Sequence, residues 1–174
     1  MISALGSLEK NLQDAFKGAP RLPDNGKKAL VEWTPWINLI FGLLALLSAY
    51  WLWQWAHVAN GLINYANSIS QAYGGGTVPN RLGLTVWLAL IVLAAQGAVM
   101  LAAFSPLKDR KKAGWDLLFY GVLLNLAYGV VVAFTSYGGG HLVSSLIGAV
   151  VGLYLLFQIR DSYTGKTSPT KPAK

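Results

Sequence analysis

The pattern of apolar and polar positions divides the chain into a short amphipathic stretch, four long apolar runs and a polar tail. From Met1 to Gly18, Ile2, Leu5, Leu8, Leu12 and Phe16 recur at helical spacing, with Lys10, Asn11, Asp14 and Lys17 on the other side. This stretch is too polar to span a bilayer, and it lacks the basic start and cleavage site of a signal peptide. Residues 1–19 therefore predict an amphipathic interfacial helix on the inner leaflet, or else a helix packed on the ends of the others. Pro20 and Pro23 end it.

The apolar runs predict four spans, at residues 33–57, 84–104, 115–134 and 142–159, forming one domain over 33–159. Leu84 to Phe104 and Leu117 to Phe134 contain no Asp, Glu, Lys, Arg or His. Each run is near the length of about 20 residues that crosses about 30 Å of hydrocarbon. A soluble core helix would carry a charged face. Pro35 suits the first turn of the first span. Trp33 and Trp36 at one end, and Trp51, Trp53 and Trp55 at the other, read as interfacial belts. Beyond His57, Val58, Leu62, Tyr65, Ile69 and Tyr73 recur at three and four, against Asn60, Asn64, Asn67 and Gln71. That stretch either extends the first helix or bends at Gly61 onto the outer surface, and the spacing leaves both open. Ser105 and Pro106 close the second span, and Thr164 to Lys174 predict a disordered basic tail.

Charge supplies an orientation. Of the 14 Lys and Arg, all but Arg81 fall in three clusters: Lys10 to Lys28, Lys108 to Lys112, and Arg160 to Lys174. Short loops rich in Lys and Arg stay on the cytoplasmic side, so both termini are expected there. The net charge of +7 then faces anionic lipid, which makes membrane lipids the expected partner and argues against nucleic acid. The absence of cysteine excludes disulfides and thiolate chemistry.

The two halves of the chain resemble each other. Phe41-Gly42 follows Trp36 as Tyr120-Gly121 follows Trp115, and Tyr73 to Gly76 matches Tyr137 to Gly140. Gly97 to Val99 matches Gly148 to Val150. Both halves start on the same side, as in a parallel repeat. The expected fold is all-α, an integral membrane four-helix bundle of two parallel-repeat helical hairpins.

Small residues four apart allow close helix approach in lipid. Ala94, Ala98 and Ala102 form one such stripe; Gly121, Asn125, Gly129 and Ala133 a second; Ser144, Gly148 and Gly152 a third. They are expected to pack within one chain, with contact to a second copy or another membrane protein as the alternative.

No Asp, Glu, Lys, Arg or His falls in the middle of a span, which argues against ion-coupled transport. No nucleophile–base pair or phosphate loop is present, and His57 and His141 alone make a poor metal site. No enzyme activity, cofactor or metal is expected. Asn38, Gln96 and Asn125 are the polar groups suited to hydrogen-bond between helices or to line a polar cavity. Lys111 to Gly121 and Gly152 to Arg160 resemble segments of small four-helix integral membrane proteins of bacteria with reduced genomes. That resemblance implies a bacterial cytoplasmic (inner) membrane and no activity. The leading expectation is a structural, assembly or accessory subunit acting through helix contacts. The alternative is a passive small-molecule carrier or lipid-binding protein, which a cavity reaching the amide side chains would favour.

Overall fold

The computed structural model describes residues 2–79, 83–134 and 139–165, and among these it is all-α. The five helices are α1 (Ile2–Phe16), α2 (Asp24–Ala72), α3 (Leu84–Lys108), α4 (Lys112–Ala133) and α5 (Gly139–Tyr163). Four of them, α2 to α5, are long and apolar enough to cross a membrane. Arg81, Tyr137, Gly138 and the tail beyond Gly165 lie outside the described residues, as do the side chains of His141 and Ser144.

Successive helices pack side by side in chain order, α2 on α3, α3 on α4 and α4 on α5, whereas α2 and α5 touch only sparsely. The α2–α3 register is antiparallel. Trp36 meets Phe104 edge-on at 5.4 Å, Asn38 bonds the Met100 carbonyl, and Trp53 meets Trp87 at 5.5 Å. Between these contacts the two helices approach most closely. A Cβ added at Gly97 would fall 2.7 Å from the Leu46 side chain, and one at Gly42 would fall 3.0 Å from the Met100 Cβ.

α2 is a single helix of 49 residues, longer at both ends than the expected 33–57. At 1.5 Å per residue it is about 70 Å long. Its last turns run past the start of α3, and the Asn67 side chain clasps the returning strand of chain through the backbone N–H and C=O of Val78, both at 2.8 Å. The stretch after His57 thus continues the helix. Pro35 lies inside α2 rather than in its first turn. Proline has no N–H to offer the carbonyl four residues back. The hydroxyl of Tyr163 takes that place, 3.5 Å from the Val31 carbonyl oxygen, tying the end of α5 to the start of α2. Pro106 likewise sits inside the last turn of α3, which continues to Lys108.

The α3–α4 turn is tight. Arg110 adopts a positive φ of 53°, and the Lys111 N–H donates to the Pro106 carbonyl at 2.8 Å. Gly114 packs so close that a Cβ there would lie 2.6 Å from the Leu107 amide nitrogen. Trp115 follows, fully buried. Its ring stacks on Phe119 at 5.4 Å, and its Nε1–H donates to the Leu156 carbonyl at 2.8 Å. Leu107, Leu153, Leu156, Ile159, Tyr163 and Val31 complete the main buried cluster.

α1 docks onto this end. Phe16 stacks on Phe157 at 5.7 Å, and Glu9 accepts from the Nε–H of Arg160 at 3.0 Å. The Arg160 guanidinium lies 5.5 Å from the Trp115 ring centre. Lys112 pairs with Asp116 at 2.8 Å. The start of α2, the α3–α4 turn and the end of α5 therefore share one end, which gathers the basic clusters around Lys28, Lys108 to Lys112 and Arg160.

The small-residue stripes do not all pack within the chain: that of α4 does so at Gly121 and Gly129, whereas positions on α3 and α5 face outward. Ala94, Ala98 and Ala102 are exposed, and nothing lies within 4 Å of a Cβ added at Gly148. α5 turns the adjacent positions inward instead, with Ala149, Leu153 and Leu156 buried. In α4, Gly129 does seat a neighbour, the Ser145 side chain, 2.6 Å from an added Cβ. Spacing of four defines a stripe but not the direction it faces, and a one-residue offset turns it by 100°.

Gly97→Val is expected to destabilise the protein by about 1–3 kcal/mol, the usual effect of overpacking, because Leu46 and the Gly42 carbonyl leave no room. Gly148→Leu is expected to leave the thermal midpoint in mild detergent unchanged. Equal midpoints for the two variants would contradict the packing described.

Candidate functional site

The sparse contact between α2 and α5 leaves a cavity of about 270 Å³ among the four long helices. α2 contributes Leu30, Thr34, Ile37, Asn38 and Phe41, and α3 contributes Gln96, Val99 and Met100. Leu117, Leu118, Gly121 and Val122 of α4 and Gly152, Leu155, Leu156 and Ile159 of α5 complete the lining. Apart from Thr34, Asn38 and Gln96, every lining side chain is apolar or glycine, and none is ionisable. The α2 set, at 30, 34, 37–38 and 41, is one face of a helix.

Exposure locates the opening. Ile37 and Phe41 on α2 are 43% and 56% exposed, and Leu155 on α5 is 36% exposed. The lining residues of α3 and α4 are buried or half-buried. The mouth therefore lies between α2 and α5, with α3 and α4 as the back wall. Leu156 and Ile159 belong both to the cavity and to the buried cluster around Trp115, so that cluster forms one end of it.

Two buried side-chain oxygens at this site have no hydrogen-bond partner among the described residues. Asn38 is 3% exposed, and its Nδ2–H donates to the Met100 carbonyl. A carbonyl only accepts, so this bond fixes which end of the amide faces Met100 and leaves Oδ1 as an acceptor. That Oδ1 is buried and unbonded, as is Oε1 of Gln96. The Gln96 amide sits over Gly121, its Nε2 only 3.2 Å from where a Cβ on that glycine would be. Gly121 seats the neighbouring helix α3 through this polar side chain. Each unpaired buried acceptor costs about 1–3 kcal/mol. Thr34 already donates its hydroxyl to the Leu30 carbonyl at 2.5 Å within its own helix.

Of the three amides expected to act together, Asn38 and Gln96 line this cavity and Asn125 does not. Asn125 is exposed, one turn beyond Gly121, where the cavity lining has ended. Gly152 lines the cavity, with only Val122 near it, at 3.7 Å from an added Cβ. Thr34, Phe41 and Leu155 are lining residues that the sequence did not single out; the spacing of Thr34, Asn38 and Phe41 along one helix face was the available signal. His57 is engaged within its own helix, its Nδ1 3.1 Å from the Trp53 carbonyl oxygen.

Compared with protein-family models, with curated proteins and with solved structures, the chain matches none.

Gln96→Leu is expected to raise the thermal midpoint in lipid-free detergent, because it removes an unpaired buried acceptor while keeping apolar volume. A clear fall in the midpoint would mean that the Gln96 amide is satisfied within the protein.

Proposed function

We propose that the chain is an integral membrane protein whose helices α2 to α5 span the bilayer and whose cavity holds a lipid-borne molecule without chemical conversion. The observation that carries this reading is the cavity itself: apolar, open between two long helices, and equipped with two unpaired amide oxygens. A protein that works only through helix contacts has no use for two costly unpaired acceptors in its interior. Stability given up at a site is the usual mark of function rather than of structure.

Several features support the membrane setting. The flanks of α2, α3 and α5 carry large exposed side chains such as Phe41, Leu47, Trp51, Ile91 and Val151, too much contiguous apolar surface for water. Hydrocarbon accommodates it at no cost. The basic residues around Lys28, Lys108 to Lys112 and Arg160 share one end, and the positive-inside rule makes that end, with both termini, cytoplasmic. The resemblance of Lys111 to Gly121 and Gly152 to Arg160 supports a bacterial inner membrane. A mouth between α2 and α5 then opens sideways to lipid, so a ligand enters from the bilayer without crossing water. No group suited to acid–base or nucleophilic work lines the cavity, which supports binding or carriage over catalysis.

A second reading, an accessory subunit acting through helix contacts, is favoured by a separate observation. Ala94, Ala98 and Ala102 of α3 and Gly148 of α5 face outward, where another helix could approach closely.

The test uses the full chain in lipid nanodiscs with an alkyl probe carrying a diazirine. Cross-links are expected on Phe41 and Leu155, competed by unlabelled hydrocarbon. Gly152→Phe, which puts a ring into the cavity, is expected to remove most of this labelling. Labelling spread evenly over the outer faces, and insensitive to Gly152→Phe, would contradict the reading.

A further inference from the structure

Resting on that reading, we propose that the molecule held is a neutral hydroxylated lipid, with a polyol head such as that of a monoacylglycerol on a hydrocarbon body. The argument concerns what the lining can and cannot pair. Asn38 presents a buried, unpaired acceptor, Oδ1, while one of its two amide hydrogens is committed to the Met100 carbonyl. Gln96 holds a second unpaired acceptor in the same cavity. Two unpaired acceptors favour a ligand that brings hydrogens, and a diol brings two.

Charge narrows the class further. No Lys, Arg or His lines the cavity, so a phosphate or carboxylate head would face the Asn38 oxygen with no counter-charge. Two cations at this end of the bundle are paired, Arg160 with Glu9 and Lys112 with Asp116. No Asp or Glu is among the lining residues either, so an ammonium head would be desolvated without a counter-charge. A plain hydrocarbon would fit the walls yet leave both oxygens unpaired. A hydroxyl is therefore the head that this lining satisfies, and its own oxygen can accept from the Gln96 amide.

Size is consistent with this assignment. A space of 270 Å³ takes the head and the first part of a chain, not a whole lipid. The rest of the chain leaves through the mouth between Phe41 and Leu155 and lies among neighbouring lipids.

The experiment compares three photoreactive probes of equal chain length on the full protein in nanodiscs: a 1-monoacylglycerol, its dimethyl ether and a lysophosphatidic acid. The monoacylglycerol is expected to label cavity residues at about tenfold lower concentration than the ether, the gain of roughly one to two net hydrogen bonds. Asn38→Leu should cut that preference to about threefold, the share left to the Gln96 oxygen, while the ether labels as before. Should Asn38→Leu fail to fold, Gln96→Met makes the same test. Equal labelling by diol and ether, as expected if water satisfies the two oxygens, overturns the head-group assignment and leaves the cavity reading standing. Stronger labelling by the lysophosphatidic acid also overturns it. If none of the probes labels the cavity and Gly152→Phe changes nothing, the cavity reading itself fails, and this assignment with it.

Discussion

The missing side chains of Gly42 and Gly97 let α2 lie close against α3, and the remaining arrangement depends on that contact. With Leu46 over Gly97 and Met100 beside Gly42, the position of α2 is set from the α3 side. Nothing comparable draws α2 towards α5. The two meet near the Val31 carbonyl and Tyr163, and above that level they separate. A chain that packs its helices in sequence, with one close crossing and one loose closure, is left with a slot between its first and last long helices.

The end that holds the slot shut is built differently. There the side chains are large and interlocked: Trp115 on Phe119, Phe157 edge-on to both, and Leu107 beneath the turn. Trp115 gains a hydrogen bond to α5, so its indole both fills volume and satisfies its own N–H. Glu9 brings α1 over the same place by pairing with Arg160, both side chains being mostly buried, and the linker continues the strap through the Tyr154 hydroxyl and the Pro20 carbonyl at 2.7 Å. A rigid end and an open side wall suit a site that must admit a molecule without losing its shape.

Much of the architecture was legible in the sequence, because a run of apolar residues near the length of a bilayer has few alternatives to a long helix. Helices α3 and α4 begin and end within a few residues of their expected limits. Proline misled in two places. Pro35 reads as a helix start and Pro106 as a helix stop, yet both lie inside helices, and at Pro35 the Tyr163 hydroxyl occupies the carbonyl that the proline releases. The site was half legible. Asn38 and Gln96 stood out as amides in apolar runs, and so did Asn125. Which of them meet depends on helix rotation and depth, which a single chain of apolar residues does not encode. The glycines show the same limit: Gly42 and Gly97 were visible as parts of a repeat, while their contact with each other appears only in three dimensions.

The central claim is that the slot between α2 and α5 is occupied from the bilayer and reaches Asn38. The most direct measurement is a density map of the full chain in lipid nanodiscs at a resolution that separates acyl chains from side chains. The account predicts a rod of density entering between Phe41 and Leu155, its inner end within hydrogen-bond distance of the Asn38 Oδ1. A map in which α2 and α5 close on each other, with that oxygen bonded to the protein, would contradict it.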